Sequence, residues 1–183
     1  KTAFTPAILS YDGIQYQYMA PSVMEDKALS YLKEHLRILS GFYGILRPMD
    51  CVLPYRLEMQ AKTQNFGQLS LYDYWGDELC KQLCSETSCI LNLASKEYAV
   101  AIERYLTKKI LFITCIFGEL QENKVIAKGT KAKMARGEMV RFLAENEIED
   151  LKEMKKFDRL GYHYDKERSD EKTYVFISDQ NVI

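Results

Sequence analysis

The sequence has 183 residues, 47% of them hydrophobic, and carries 25 lysines and arginines against 26 aspartates and glutamates. This length fits one domain with a core of ordinary size, and the composition excludes a disordered chain. No apolar run reaches the ~18–20 residues that a membrane span needs. The near-zero charge argues against a protein that coats nucleic acid by bulk charge, while it leaves a local basic patch open.

The start of the chain does not look like the start of a protein. Lys1-Thr2-Ala3 is not an initiator context, and residues 5–9 read as internal sequence. We therefore expect further residues upstream of this chain, and these could carry part of the function.

The first predicted elements are a hairpin and a helix. Residues 8–18 alternate weakly around Asp12-Gly13, which predicts a small β-hairpin. Ser22 and Glu25 have capping-box spacing and predict a helix that ends at Ser40-Gly41. Its apolar face comprises Leu29, Leu32, Leu36 and Leu39.

Residues 41–59 form a different kind of segment. Two glycines and two prolines interrupt its aromatic and apolar residues, so that neither a helix nor a strand period persists. The segment is too hydrophobic for a solvated loop. It is predicted to be an ordered, packed connection, of the kind that often lines a site.

The second half alternates helices and strands. Ser70 is predicted to cap a helix that carries Leu71, Tyr74, Trp75, Leu79 and Leu83. A short buried strand at residues 89–93 leads to Ser95, a predicted N-cap. The strongest strand pattern is residues 109–117, and residues 124–128 are predicted to pair with it across a connection of hairpin length.

Helices at 131–145 and 150–157 and strands at 161–165 and 173–178 complete the chain. Strands scattered among helices predict an α/β or α+β fold, with a single-domain mixed β-sheet flanked by helices.

Five cysteines, an odd number, fit a reducing cytosol better than a secreted disulfide framework. Cys80, Cys84 and Cys89 could offer three thiolates to zinc or an iron–sulfur cluster. Their spacing is not a standard ligand pattern, however, and neither histidine is nearby. Small buried hydrophobic side chains are the favoured interpretation, so we expect no metal site.

The densest cationic segment is residues 128–141, which holds five basic residues and one acid, Glu138. At about 100° per residue, Lys133, Arg136 and Arg141 fall on one side of a helix. Gly137 lies between them, where the missing side chain would let a phosphate or a backbone approach closely. The segment is either a surface that contacts phosphate or nucleic acid, or an ordinary solvated face.

Two further groups could carry chemistry. Asn92 and Ser95 end a strand and begin a helix, where free backbone N–H groups can receive an anion, and Glu97 is close enough to act as acid or base. A plain helix cap is the alternative. Arg56 and Glu58 share a face in an extended stretch, where they could grip a polar ligand or form a structural ion pair.

Several catalytic motifs are absent from the sequence. It contains no P-loop, no dinucleotide-binding glycine motif, no nucleophile elbow and no H-E-x-x-H. With two histidines, His35 and His163, outside any motif, histidine-based catalysis is not expected.

Taken together, these motifs resemble the YaaA family of peroxide-stress-response proteins. The matching stretches occur in the family's order: residues 35–50 (HLRILSGFYGILRPMD), 54–59 (PYRLEM), 72–77 (YDYWGD), 92–98 (NLASKEY), 132–142 (AKMARGEMVRF) and 157–162 (FDRLGY). The resemblance implies a cytosolic bacterial protein that limits oxidative damage during hydrogen peroxide stress, linked to lowering free iron. It also implies a mixed α/β domain with a positively charged cleft, and DNA binding.

The family begins with a strand and a Ser-Pro-Ala-Lys-type motif that this chain lacks. The resemblance therefore implies that residues 1–183 form a single domain whose N-terminal part precedes the chain.

The leading hypothesis is a non-catalytic cytoplasmic protein that binds DNA non-specifically, whether duplex or structured, and limits iron-dependent damage. The residues expected to grip phosphates are Arg37, Arg56, Lys131, Lys133, Arg136 and Arg141. The residues expected to line the same cleft are Tyr43, Asp50, Tyr55, Trp75, Asn92, Ser95 and Tyr98.

The rival hypothesis is an enzyme that acts on a nucleotide or a damaged nucleobase in this cleft. Glu58 or Glu97 would be the general acid/base, and Tyr43, Tyr55 or Trp75 would stack the base. Direct iron sequestration is a third hypothesis, for which the sequence shows no dense carboxylate and histidine site. We expect no cofactor and no membrane partner, and a monomer is compatible with the sequence.

Overall fold

The computed structural model describes residues 4–62 and 69–178. The helices are α1 Ala7–Ser10, α2 Ile14–Met19, α3 Asp26–His35, α4 Leu71–Trp75, α5 Glu78–Glu86, α6 Lys96–Glu103, α7 Gly129–Glu145 and α8 Leu151–Met154, with 3₁₀ turns at Pro21–Val23 and Arg159–Gly161. The strands are β1 Thr5–Pro6, β2 Ile38–Ser40, β3 Gly44–Leu46, β4 Cys51–Val52, β5 Cys89–Asn92, β6 Leu111–Gln121, β7 Lys124–Ile126, β8 Tyr162–Asp165 and β9 Thr173–Ser178. The predicted mixed α/β class is confirmed.

The described residues fall into two compact units. The first takes its residues from Lys1–Ser10 and Arg37–Phe112, and the second from Tyr11–Leu36 and Ile113–Ile183. That the chain forms one domain stays a prediction. Within the described residues, no helix is both long enough and apolar enough to cross a membrane.

The first unit contains two small antiparallel ladders and a helical core. Strand β2 pairs with β3, so that Ile38 faces Leu46 and the turn between them is Gly41–Phe42–Tyr43. Strands β1 and β4 form the other ladder. The predicted packed connection at 41–59 thus contains short strands, and its end contributes the fully buried Met59 to the core of α4, α5 and α6.

The predicted helix after Ser70 is interrupted. The Ser70 side chain accepts a hydrogen bond from the Asp73 N–H, which confirms the predicted cap. Gly76 then adopts φ of 50° and ends α4, and α5 begins two residues later. A left-handed glycine is a common helix stop, so one apolar pattern covers two helices.

The second unit is built on a mixed sheet. Strand β9 lies between β6, to which it is parallel, and β8, to which it is antiparallel. Strand β7 pairs with the end of β6 through a tight turn at Glu122 and Asn123, both with positive φ. The predicted strands are confirmed, although β6 extends through Gly118 to Gln121, where the sequence predicts a connection. The predicted register is wrong, because β7 pairs with Glu119–Gln121 of this extension and not with residues 109–117.

The predicted hairpin at residues 8–18 is wrong. The segment forms α1 and α2 instead, separated at Gly13. Helix α2 packs against α7 at Gly137, where an added Cβ would lie 2.1 Å from the Gln15 carbonyl oxygen and 2.9 Å from the Met19 nitrogen. This long-range contact between two helices outweighs the local turn preference of Asp12-Gly13.

The boundaries predicted for the next helix are also wrong. Residues 21–23 form a 3₁₀ turn, and α3 begins only at Asp26, with Glu25 at its N-cap and no side-chain cap. The helix ends at His35, so Leu39 lies on β2 rather than on the helix face. Pro21 accounts for the late start, since its fixed φ favours a turn at this point.

Candidate functional site

Helix α7 carries all of the predicted phosphate-binding residues of the second unit: Lys131, Lys133, Arg136 and Arg141. Its alanines and methionines favour a helix, and Ala132, Ala135 and Met139 are buried. The predicted helix is thereby confirmed, with a start at Gly129. Gly137 is the point of closest approach between α7 and the backbone of α2, so this glycine admits a backbone rather than a phosphate.

Arg136 differs from the other cations of α7 because it is partly buried without a counter-ion. Among the described residues it forms no ion pair, and its Nε is buried without a hydrogen-bond partner. Burial lowers the pKa of Arg136, yet a guanidinium remains charged at any physiological pH. A charge removed from water in this way is costly unless an anion completes its environment.

Cys115 interacts electrostatically with Arg136 but does not neutralise it. Burial raises the pKa of the Cys115 thiol to about 12, against the opposing effect of the Arg136 charge. Cys115 is therefore a neutral thiol at physiological pH and supplies no negative charge. The role of Arg136 in gripping a phosphate stays a prediction.

Lys133 and Arg141 meet different surroundings on the same helix. Lys133 is exposed and forms no ion pair with the residues that the structure describes. Arg141 donates from its Nε to Glu145 at 2.7 Å, and Arg159 donates to the other oxygen of the same carboxylate at 2.6 Å. Counting partners among the described residues alone, the predicted basic face therefore contains one lysine without an ion pair, one partly buried arginine without an ion pair and one arginine held by a carboxylate.

Lys131 forms an ion pair with Glu119, a residue that the sequence does not single out. Glu119, at the end of β6, is only 3% exposed, and its two oxygens accept from Lys128 at 2.6 Å and Lys131 at 2.9 Å. Hydrogen bonds from Lys128 and Lys131 lower the pKa of Glu119. Glu119 could have been recognised as a site residue because it is an acid that follows a long apolar run. The sequence instead predicts that it belongs to the connection after the strand.

Replacing Glu119 with glutamine should destabilise the protein at neutral pH and flatten its response to acid. Because the pKa of Glu119 is lower in the folded than in the unfolded chain, its contribution is present above the unfolded value of about 4.3 and is lost as the pH falls through the lower folded value. Urea midpoints measured from about pH 7 to about pH 3 should fall less steeply in Glu119→Gln than in the wild type.

The exposed Glu171 provides the control for this series. Glu171→Gln should keep the wild-type slope of midpoint against pH. If Glu119→Gln has that slope too, the two lysines do not stabilise the Glu119 carboxylate.

In the first unit, the predicted cations again differ in their partners. Arg37 donates to Glu86 from both Nε, at 2.7 Å, and Nη2, at 2.6 Å. Arg56 and Glu58 are exposed and, within the described part of the chain, form no ion pair with each other or with another residue. Arg56 therefore remains available to an external anion, whereas Arg37 is already neutralised.

The predicted aromatic residues of this unit are fixed by hydrogen bonds. The Tyr43 hydroxyl accepts from the Leu53 N–H at 3.1 Å, and the Tyr55 hydroxyl lies 2.5 Å from the Ser40 Oγ. Trp75 Nε1 donates to the Gly41 carbonyl at 3.1 Å. The three aromatic residues thus surround the β2–β3 turn.

The carboxylate predicted beside this turn has a local partner. Asp50 accepts from the Arg47 N–H at 2.7 Å, which closes the turn after β3. This bond occupies one of its two oxygens.

At the turn between β5 and α6, the side chains of Asn92 and Glu97 accept hydrogen bonds from the protein's own backbone. Asn92 is buried, and its Oδ1 accepts from the Ala94 N–H at 3.0 Å. Ser95 occupies the N-cap position of α6 without a side-chain cap bond, and Tyr98 is half-buried against the core. Glu97 Oε1 accepts from the Gln60 N–H at 3.1 Å, so one oxygen of this candidate acid/base anchors a loop.

The cysteines are mostly protonated thiols. Cys80 Sγ lies 3.6 Å from Cys84 Sγ, and burial and then this contact raise the pKa of Cys80 to about 11. Burial also raises the pKa of Cys89. Within residues 4–62 and 69–178, no three His, Cys, Asp or Glu side chains come together in a way that could hold a metal ion.

The structure divides the candidates between the two units. Arg136 and Lys133 share α7 of the second unit, and Arg56 belongs to the first. That both groups line one cleft, and that Glu58 or Glu97 acts as an acid/base, stay predictions.

Comparisons with known proteins give the family. A family model described as Peroxide stress protein YaaA matches residues 1–168. A UPF0246 protein of Desulfitobacterium hafniense is 57% identical over 173 residues, which are 94% of this chain and 69% of the relative. Those of Lachnoclostridium phytofermentans and Pediococcus pentosaceus are 58% identical over 181 residues (99% of this chain, 71% of the relative) and 51% over 180 (98% and 72%). The chain therefore belongs to the peroxide stress protein YaaA family.

Proposed function

We propose that this protein binds the phosphate backbone of DNA non-specifically and thereby limits iron-dependent oxidative damage in the cytoplasm during peroxide stress. The observation that carries the proposal is the unpaired, partly buried guanidinium of Arg136. Exposed Lys133 on the same helix adds a second cation without a partner among the described residues.

Phosphate is a ligand that the guanidinium of Arg136 can bind, because its planar fork of donors matches two phosphate oxygens. The Nε of Arg136 is buried, so a phosphate would meet the part of the guanidinium that stays exposed. Contacts of this kind position a protein on DNA without reading the base sequence. The proposal therefore predicts binding to any duplex, governed by salt.

Neutralising phosphates also explains protection from iron. DNA holds a condensed layer of cations, and a protein that places lysines and arginines on the phosphates releases them. Ferrous iron in that layer is displaced in the same way. Fewer hydroxyl radicals then form at the DNA surface, which agrees with membership of a peroxide stress family.

Binding should weaken linearly in a log–log plot of association constant against salt. With fluorescein-labelled duplex DNA and fluorescence anisotropy between about 50 and 200 mM salt, each phosphate contact contributes about −0.9 to the slope. Lys133→Gln should reduce the steepness of the slope by about one such contact. Its effect should be the same for unrelated duplex sequences, because no base is read.

Lys166→Gln removes another exposed lysine from the same unit and serves as the control. It should keep the wild-type slope. Salt-independent binding, or equal slopes for all three proteins, would refute the phosphate-contact proposal.

A further inference from the structure

Two cysteines of helix α5 place their sulfur atoms in contact. Cys80 and Cys84 are four positions apart, so they lie on the same side of the helix, one turn above the other. Their Sγ atoms are 3.6 Å apart, a distance at which one thiol donates a weak hydrogen bond to the other. The fold therefore holds two thiols side by side without a bond between them.

The two thiols differ in their exposure to solvent. Cys80 is 3% exposed and packs in the core of the first unit with Leu79 and Leu83, whereas Cys84 is only partly buried. A small oxidant dissolved in water therefore reaches Cys84 more readily than Cys80. The buried thiol lies next to the accessible one, within reach of a group that forms on it.

The shared proton stays with Cys80. Burial first, and then the hydrogen bond and the charge of Cys84, raise the pKa of Cys80 to about 11. Cys80 therefore keeps its proton when Cys84 has lost its own, and it can donate that proton to the Cys84 thiolate. Because the thiolate and not the thiol is the nucleophile, Cys84 is the sulfur that attacks first.

The other cysteines lack such a neighbour. Cys51 and Cys89 are exposed and Cys115 is buried, and among the described residues none of the three has the sulfur of another cysteine within hydrogen-bonding distance. An oxidised sulfur at Cys51 or Cys89 would therefore find no second thiol in contact with it. Helix α5 is where the described part of the chain brings two thiols together.

We propose that Cys80 and Cys84 are a peroxide-oxidised pair that closes to a disulfide within α5. The oxidant is hydrogen peroxide, to which the family's description as a peroxide stress protein points. Cytosolic disulfides are usually transient and often sense the redox state, and a pair of this kind would give the protein a direct chemical response to peroxide.

The reaction takes two steps. The Cys84 thiolate attacks one peroxide oxygen, so that an S–O bond forms, the O–O bond breaks and hydroxide leaves, and Cys84 becomes a sulfenic acid. The Cys80 sulfur then attacks the Cys84 sulfur, so that the S–S bond forms and the S–O bond breaks. The first hydroxide takes up the proton that Cys84 lost and the second takes up the proton of Cys80. Each peroxide thus accepts two electrons from the sulfurs and leaves as two waters.

Closure requires a small movement of α5. The sulfurs have to approach from 3.6 Å to about 2.05 Å. The Cβ atoms of helix positions four apart are about 5–6 Å from each other, whereas those of a disulfide are about 3.5–4.5 Å apart. The turn between Cys80 and Cys84 must therefore tighten. A disulfide held away from its preferred geometry is more easily reduced, so cellular thiols would reopen this one when the peroxide is gone.

Peptide mapping tests the proposal, because trypsin cuts after Lys81, between the two cysteines. The protein is treated with about 1 mM hydrogen peroxide, and its remaining thiols are then blocked with iodoacetamide. Residues 63–81 and 82–96 should be recovered as one linked pair, with a mass about 2 Da below the sum of the two free peptides. Glutathione added before the blocking step should return the two peptides to their separate forms.

Variants assign the role of each sulfur. Cys80→Ala removes the second thiol, so the sulfenic acid on Cys84 should persist and be trapped by dimedone on residues 82–96, more strongly than in the wild type. Cys84→Ser should give neither the linked pair nor dimedone at position 84. Cys89→Ser is the matched control, because Cys89 is exposed and shares its tryptic peptide with Cys84. It should form the linked pair as the wild type does.

The outcomes that contradict the proposal are distinct. Separate peptides after peroxide treatment of the wild type would overturn it, as would a linked pair that persists in Cys84→Ser or disappears in Cys89→Ser, since the bond would then lie on Cys89. Equal dimedone labelling of Cys84 in the wild type and in Cys80→Ala would show that Cys80 does not attack the oxidised sulfur. The experiment contains no DNA, so its result is independent of the proposed function.

Discussion

Replacing Gly137 with alanine should destabilise the protein by about 3 kcal/mol or more. The new Cβ would lie 2.1 Å from the Gln15 carbonyl oxygen, so α2 and α7 would have to separate. The two nearest atoms, the Gln15 carbonyl oxygen and the Met19 nitrogen, belong to the backbone, which cannot rotate aside as a side chain can. In a helix interior, alanine is more favourable than glycine by about 1 kcal/mol. A large loss of stability in Gly137→Ala would therefore come from the packing of α2 against α7 and not from helix propensity. Urea or thermal unfolding measures it.

Gly129→Ala is the control on the same helix. An added Cβ at Gly129 meets no atom within 4 Å. This variant should match the wild type or exceed it slightly, because alanine restricts the unfolded chain. Similar unfolding free energies for the two alanine variants would show that the contact between α2 and α7 is not as tight as described here.

Replacing Arg136 with methionine should have opposite effects on stability and on binding. Removing a partly buried charge that has no partner among the described residues should stabilise the fold by about 1 kcal/mol or more, since methionine fills similar space without needing a counter-ion. The same change should weaken binding to duplex DNA by about tenfold or more, because a charged hydrogen bond to phosphate is lost. Chemical denaturation and anisotropy on one protein preparation measure both.

Arg141→Met separates this effect from the general loss of an arginine. Arg141 is paired with Glu145, so its replacement should leave stability unchanged or lower it slightly, and should have a smaller effect on DNA affinity. A destabilised Arg136→Met variant with full DNA affinity would mean that Arg136 serves the fold rather than a ligand.

Elements with continuous or strongly periodic apolar residues were predictable. Strands β6, β8 and β9 and helix α7 lie where the pattern predicts them, because each buries a face whose spacing is visible locally. Helix α2 was mistaken for a hairpin strand, since Asp12-Gly13 is a strong turn signal and α2 is only six residues long. Its partner, Gly137, is more than a hundred residues away in sequence.

The candidate site also depends on contacts between residues that are far apart in sequence. The helical wheel identifies which cations share α7, but it does not show that Glu119 neutralises Lys131 or that Glu145 holds Arg141. Which charges pair is decided by tertiary contacts. Arg136 is the strongest candidate for a phosphate contact, and it can be told apart from the other cations of α7 only once its surroundings are known.

Helix α7 is secured near its start by Lys131 on Glu119, at its middle by Gly137 on α2, and at its end by Arg159 on Glu138 and Glu145. A helix held at three points along its length can neither slide nor turn about its axis without breaking one of these contacts. The backbone that carries Arg136 is therefore already fixed when the chain folds. In the proposed contact with a phosphate, this part of the conformational entropy would not have to be lost on binding.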